Sequence, residues 1–390
     1  VYTAEQLEIQ ALARDFAEGE LRPRAAAWDE TRSIDDEIFA KLAELGFLGM
    51  LVPESHGGLG FDLSTYLLVL EELAWGDAAI TLSVAIHCGP VTDLVLAHGS
   101  EEQKAHWLPR LASGEVVGAF ALSEPEAGSD AAALRTTAER VPGGWTLRGT
   151  KRWVTNGSRA GVVVVFARTA PDAIGAFLVE PGSPGYRVGT RERTLGLRGS
   201  ETVAVELDGV AVGEGGLLGD PDDGLKYALQ ALDVGRVGIG AQAVGIARAS
   251  FEHATAYALE RRQFGRALAD FGATRAKLAE MHRRIAGARA LTHEAGRALQ
   301  GFREGASPRT GLHGVTAMAA AAKLAASEAA TWVADEAVQI FGGYGYMRDY
   351  PVEKLLRDAK GTEIYEGTNE IMRHVIAQEV LRAGRPTGGA

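Results

Sequence analysis

The feature that most constrains this chain is a double change of hydrophobic period. Up to about Gly118 apolar residues recur at helical spacing, with Leu63, Tyr66, Leu67, Leu70 and Leu73 on one face. From about Glu115 to Leu218 the period falls to two. Trp145 and Leu147, then Val203, Val205 and Leu207, alternate with polar residues, and Val162 to Phe166 form a continuous apolar run suited to a buried strand. Turns come from Gly143-Gly144, Pro181-Gly182, Pro184-Gly185 and Asp208-Gly209. From about Asp223 the helical period returns and holds to about Leu381. A multi-domain α+β protein follows: an N-terminal α-helical domain (1–118), a middle β-barrel-like domain (119–222) and a C-terminal helical bundle (223–390). The strands succeed one another without helical crossovers, so an antiparallel sheet or barrel is expected rather than a parallel α/β sheet.

Local signals sharpen this outline. Gly76 reads as a helix C-cap, and Ser100 with Gln103 as a capping box opening a helix through Trp107 and Leu111. Leu278, Met281, Ile285, Ala288, Ala295 and Leu299 keep a 3–4 spacing, with Thr292 filling the remaining position, which is a bundle seam. Val315 to Ile340 is an alanine-rich helix. The uncharged run Ala78 to Thr92 is shorter than a membrane span and contains Gly89-Pro90, so it reads as core, with no membrane insertion. A Gly/Pro tail follows Ala383.

Composition narrows the function classes. The 390 residues exceed one ordinary core, and the net charge of −11 disfavours nucleic acid and anionic membranes as partners. Cys88 is the only cysteine, which excludes an internal disulfide and a cysteine metal cluster and favours a reducing compartment. Thr3 to Gly19 reads as a charged helix, not a signal peptide, so a cytoplasmic chain is expected, or a mitochondrial matrix one if a transit peptide has been removed. Gly238-Ile-Gly240 lies inside a helical pattern and is not a dinucleotide fingerprint, no Walker loop is present, and the histidines lack metal-ligand spacing.

The chemistry-bearing segments lie elsewhere. In Tyr365-Glu366-Gly367-Thr368-Asn369-Glu370 a carboxylate stands between an aromatic residue and a glycine. The aromatic ring can strip water from the carboxylate and raise its pKa toward neutrality, as a general base requires, and glycine lets a ligand approach the backbone. Phe120-Ala121-Leu122-Ser123, leading through Gly128 to Ser129 and Asp130, offers N–H groups and hydroxyls to a polar ring edge. Trp153-Val154-Thr155 sets an indole and a hydroxyl on one strand face. One helix carries Asp233, Val234, Gly235, Arg236, Gly238, Gly240 and Gly245. Its glycines call for a close approach, by a neighbouring helix or by a ligand beside Asp233 and Arg236. Arg261, Arg262 and Arg266 surround Gln263-Phe264-Gly265 at a helix end, an arrangement suited to a pyrophosphate or an acidic partner. Gln339-Ile340-Phe341-Gly342-Gly343 ends the alanine-rich helix.

Taken together and in order, these segments resemble the acyl-CoA dehydrogenase family of flavoproteins across nearly the whole chain. The resemblance implies a C-terminal four-helix bundle, FAD as cofactor, a homotetramer built as a dimer of dimers, and electron-transferring flavoprotein as acceptor. It implies that Glu366 removes the α-proton of a fatty acyl-CoA while the β-hydrogen leaves as hydride to the flavin. Phe120 to Ser129 (Phe120, Ala121, Leu122, Ser123, Gly128 and Ser129) and Trp153, Val154 and Thr155 would hold the flavin. So would Arg261, Gln263 and Phe264, Gln339 to Gly343, and Thr368, Asn369 and Glu370, with Arg261 reaching across a dimer. Ser129, Asp233, Val234, Gly235, Arg236 and Gly367 would touch the acyl-CoA. Some relatives, the isovaleryl-CoA dehydrogenases among them, keep the base at the position matching Gly235, so Glu366 here looks like the short-chain and general straight-chain arrangement. The chain departs from the family at Gly272, where relatives often carry a glutamine that contacts FAD. Two alternatives are an oxidase of the same fold and a non-enzymatic binding relative. The glutamate at 366 and the acidic net charge weigh against them.

Overall fold

The computed structural model describes residues 2–306, 309–310 and 313–384. Residues 385–390 of the Gly/Pro tail lie outside the described residues. Helices α1 (Ala4–Phe16), α2 (Ala25–Thr31), α3 (Asp36–Glu44), α4 (Leu63–Gly76), α5 (Ala78–Ile86), α6 (Thr92–His98) and α7 (Glu101–Ala112) come first. The Asp62 carboxylate starts α4 by accepting from the Thr65 N–H at 2.7 Å. Every residue of α4 is buried, as expected of a helix that is apolar nearly all round. The capping box at Ser100 and Gln103 is present.

Gly76 is not a cap. It is the last residue of α4, and Asp77 ends that helix while its own carboxylate accepts from Ala79 and Ile80 to start α5. Glycine is needed at 76 because a Cβ there would lie 2.9 Å from the Ala17 Cβ. The apolar stretch from Ala78 onward continues through a widened turn at His87–Val91, around Pro90, into α6. It is long and apolar enough to cross a membrane, but it is packed inside the protein, with Ala78 to Thr92 buried throughout.

The middle sheet contains β1 (Val117–Ala121), β2 (Thr137–Val141), β3 (Gly144–Thr155), β4 (Ala160–Ala170), β5 (Ala173–Val179), β6 (Tyr186–Arg191), β7 (Thr202–Gly213) and β8 (Leu217–Leu218). Their order is β6-β7-β3-β2-β4-β5-β8, with β1 beside β4. Most pairs are antiparallel, but β1 and β2 run parallel to β4, so the sheet is mixed and not purely antiparallel. The β2–β3 hairpin lies in the connection from β1 to β4 and takes the place of a crossover helix. The unbroken apolar run in β4 has a direct cause. Val163 and Val165 face a core internal to the sheet, while Val162, Val164 and Phe166 face the helical core.

Helices α8 (Gly224–Glu260), α9 (Gly272–Arg303), α10 (Val315–Phe341), α11 (Val352–Thr362) and α12 (Asn369–Gly384) complete the fold. The expected seam on α9 is buried from Met281 to Leu299, with Leu278 half-buried at its start. The parts are locked together by buried charge. Glu71 of α4 accepts from Arg248 of α8 (2.5 Å) and from Arg289 (2.8 Å) and His293 (3.1 Å) of α9. Burial alone would raise this carboxyl, but His293, Arg248 and Arg289 outweigh it and hold Glu71 at about 2. Lys354 of α11 bridges Asp77 (2.8 Å) and Asp358 (2.7 Å), and Asp358 accepts from the Leu197 N–H between β6 and β7 at 2.5 Å.

Where α8 crosses α4, a Cβ at Gly245 would stand 2.4 Å from the Glu71 carbonyl oxygen and 2.6 Å from the Ala74 Cβ. Gly245→Ala should therefore lower stability by about 1–3 kcal/mol, despite alanine's better helix propensity. Thermal unfolding checks this, and a raised midpoint would contradict the packing argument.

Candidate active site

Glu366 lies in the turn between α11 and α12. Glu366 and Gly367 both have left-handed backbone, with φ of +55° and +95°. That conformation is uncommon for glutamate and persists only where the surroundings enforce it. The Tyr365 hydroxyl donates to the Gln242 side-chain oxygen on α8 at 2.8 Å and anchors the entry to the turn. The carboxylate presses against α8 at Gly235, where a Cβ would lie 2.4 Å from Oε2. Parts of the residue remain open, but Oε2 is shielded from water and has no hydrogen-bond partner among the described residues. Burial pushes the carboxyl up to about 7, against the opposing pull of Arg236 and Lys323.

The glycines of α8 divide between the two readings left open by the sequence. Gly235 makes room for the Glu366 carboxylate, whereas Gly238, Gly240 and Gly245 admit Tyr66, Thr292 and α4. Asp233 and Arg236 are turned toward one another. Arg236 donates to Asp233 at 2.7 Å, and the Thr316 hydroxyl donates to the other oxygen at 2.7 Å. Both are buried, and the Arg236 Nε is shielded without a partner. Arg236 thus acts on Glu366 as a nearby fixed charge. Val234 faces the core.

A second group forms a platform on the sheet. The Arg152 N–H donates to the Ser123 carbonyl at 2.9 Å, which sets the Phe120–Ser129 segment beside the end of β3. Beneath it, buried Lys151 donates to the Leu122 carbonyl (3.0 Å) and to Glu124 (2.7 Å), and Glu124 accepts from Arg135 and Thr136. Trp153 occupies a bulge with φ +55° and is 55% exposed. Val154 turns inward and Thr155 is half-buried. Ala121, Leu122 and Val154 are buried, so they can offer a ligand only backbone. Phe120 and Ser123 are half-buried, and Gly128 and Ser129 are exposed. An open indole on strained backbone, with hydroxyls and a clear glycine edge nearby, fits a flat polar ring such as a flavin.

The remaining candidates gather elsewhere. Arg261 caps α8 and starts a short hairpin, Arg262–Gln263 against Arg266–Ala267. Phe264 at its tip has φ +52° and is 93% exposed. A cleft of about 480 Å³ collects Arg261, Gln263, Ile340, Phe341, Gly342 and Gly343. Gln339 beside it is exposed, and Phe341 stacks on Tyr257 at 4.0 Å. Arg261 lies 26 residues beyond Gly235, about 39 Å along α8 at ~1.5 Å per residue. The cleft and Glu366 therefore stand well apart along one long helix. A Cβ at Gly272 would meet nothing within 4 Å, so glycine there is not required by packing.

In the 368–370 segment only part faces outward. The Thr368 hydroxyl accepts from Ile371 at the start of α12, and Glu370 is exposed. The Asn369 side-chain oxygen instead points inward, accepting from Lys323 (3.0 Å) and Ser327 (3.0 Å) of α10. Sequence reasoning missed Lys323 and Gln242. A lysine set among the buried alanines of α10 was a readable signal, whereas Gln242 gave none.

Comparison with known proteins identifies the family. Residues 3–115 match the acyl-CoA dehydrogenase N-terminal domain, residues 119–210 its middle domain and residues 222–381 its C-terminal domain. The chain belongs to the acyl-CoA dehydrogenase family, whose members are flavoprotein oxidoreductases. It is 45% identical over 387 residues to an acyl-CoA dehydrogenase of Bacillus subtilis, covering 97% of this chain and 98% of that one. It is 41% identical over 381 residues to the mitochondrial short-chain specific acyl-CoA dehydrogenase of Rattus norvegicus, covering 97% and 90%. The structure of butyryl-CoA dehydrogenase from Megasphaera elsdenii superposes with a TM-score of 0.94 at 38% identity, covering 98% and 99%.

Proposed function

We propose that this chain is an FAD-dependent dehydrogenase of short, straight-chain acyl-CoA thioesters, with Glu366 as the base that removes the α-proton. The observation that carries this reading is the Glu366 Oε2, buried without a partner and pressed against Gly235. A water-stripped carboxylate with a pKa near 7 is matched to taking a carbon-bound proton at neutral pH. The Glu366 N–H enters no hydrogen bond among the described residues, and it can donate to the thioester oxygen as negative charge develops there. Trp153, Thr155, Ser123 and Ser129 would hold the flavin, and Arg236 biases the site toward anionic charge. FAD, when bound, supplies a hydride acceptor for the β-hydrogen.

The distance along α8 supports an assembly in which Arg261, Gln263, Phe264 and the Gln339–Gly343 turn complete a neighbour's cofactor site. A homotetramer of paired dimers, as in the family, would satisfy this. A short acyl group is favoured by the likeness to the short-chain relatives and by Tyr66. This fully buried side chain stands one helical turn beyond Gly235, where a Cβ at Gly238 would meet its hydroxyl at 3.2 Å. Electron-transferring flavoprotein is the acceptor that the family resemblance supports. A bacterial cytoplasm fits the Bacillus subtilis likeness, and a mitochondrial matrix fits the rat one.

The central test is anaerobic bleaching of the flavin by acyl-CoA. Glu366→Gln should keep FAD and bind acyl-CoA, yet bleach ~10²–10⁴-fold more slowly. The base acts only when deprotonated, so the parental rate should rise as pH increases through about 7. A parental rate in Glu366→Gln would reject Glu366 as the base. Reoxidation of the reduced enzyme should be faster with an electron-transferring flavoprotein than with oxygen.

Bleaching across acyl-CoAs of graded length should peak among the short chains, and Tyr66→Ala should move the peak toward longer ones. An unmoved peak would remove Tyr66 from the pocket. Light scattering should give the mass of a tetramer or dimer, and a monomer fully loaded with FAD would contradict the shared cofactor site.

A further inference from the structure

We propose that Lys323 is the positioning residue for the catalytic turn, its ammonium fixing the Gly367 carbonyl and the Asn369 side chain so that the Glu366 carboxylate stays set against α8. The proposal rests on Glu366 being the base. Lys323 is fully buried near the middle of α10, with Ala319, Ala320, Ala322 and Ala326 buried around it. A buried ammonium is expensive unless it does something specific. This one donates to the Gly367 carbonyl at 2.8 Å and to the Asn369 side-chain oxygen at 3.0 Å, and neither acceptor is a carboxylate. The Ser327 hydroxyl, one turn along α10, donates to the same Asn369 oxygen.

These contacts fall on the exit of the turn. The entry is already fixed by Tyr365 on Gln242 of α8. Glu366 and Gly367, both left-handed, are therefore held from two helices, and a glutamate on such backbone needs bracing to keep one geometry. The charge matters as well as the bonds. The groups facing Lys323 are Glu366 and Glu363 from the turn, Glu370 from α12 and Arg236 from α8, the last already paired with Asp233. Burial pushes Lys323 down to about 7, with Glu366 and Glu363 pulling it back up. The ammonium in turn opposes the rise that burial imposes on Glu366. Removing the charge should raise the pH at which the base becomes competent.

The test uses the FAD-loaded enzyme and three readouts: FAD content by visible absorbance, binding of an unreactive acyl-CoA thioether, and the pH profile of anaerobic bleaching. Lys323→Met should keep FAD and thioether binding and slow bleaching by about 10²-fold through misplacement of the carboxylate. It should also move the midpoint of the pH profile upward by about one unit. A parental rate, an unmoved midpoint, or loss of FAD together with the rate would each overturn the proposal. Asn369→Ala keeps the ammonium and removes one of its acceptors, so the result does not depend on the folding of the lysine variant. It should slow bleaching without moving the midpoint, and a parental rate there overturns the holding role. Glu366→Gln is measured alongside. If it bleaches normally the base assignment fails, whereas an inactive Glu366→Gln beside a parental Lys323→Met defeats only the role given to Lys323.

Discussion

The structure depends on the close approaches that α8 permits at its glycines. Gly245 lets the backbone of α4 come within contact of α8, Gly240 admits Thr292 of α9, and Gly238 admits the Tyr66 hydroxyl. At Gly235 the same missing Cβ leaves a space that the Glu366 carboxylate fills. Four glycines weaken a helix that has to form by propensity alone. Here the helix is sustained by burial, since most of its residues from Gly224 to Ala258 are enclosed by neighbouring elements. One geometric device thus admits neighbouring elements at three positions and the Glu366 carboxylate at the fourth.

Charge inside the protein follows a consistent division. Glu71 and Glu72 are met by arginines from α8, α9 and α1, Lys354 has two aspartates, and Lys151 has Glu124. Apart from Lys354–Asp358 within α11, each of these pairs joins elements from different parts of the chain or clamps a loop, and removing one partner would strand the other in a poor solvent for charge. Glu366 is treated differently. Its nearest cations, Arg236 and Lys323, act at a distance, and its Oε2 keeps no hydrogen bond. That contrast separates Glu366 from the ion-paired carboxylates more sharply than burial does, because Glu71 is buried more completely and yet is held at about 2.

Backbone strain marks the same places. Among the described residues, non-glycine left-handed conformations occur at Arg32, Trp153, Asn156, Leu197, Phe264 and Glu366. Trp153, Phe264 and Glu366 belong to three separate candidate segments: the sheet platform, the exposed hairpin and the acidic turn. A tryptophan and a phenylalanine left open to solvent on unfavourable backbone are costly in an isolated chain. The cost becomes intelligible if a flat cofactor covers one and a neighbouring subunit covers the other.

The succession of helix, sheet and bundle was legible because hydrophobic period reports local geometry directly. The α9 seam, the Ser100–Gln103 box and the buried Ala78–Thr92 stretch needed no tertiary information. Glu366 could be singled out because aromatic and glycine neighbours have predictable effects on a carboxylate. Other features were not local. Gly76 looked like a cap because its sequence resembles one, but contact with Ala17 determined its role. The parallel placement of β1 and β2 beside β4 follows from how the chain returns to the sheet, which side-chain alternation cannot encode. Nor could the sequence show that Asn369 turns inward to Lys323, that Arg236 donates to Asp233, or that Arg261 stands about 39 Å from Gly235 along one helix. The sequence by itself determined which residue types were available and which elements they would form. Which of those residues are left unpaired was decided by the tertiary structure, because desolvation and pairing depend on neighbours that are distant in the chain.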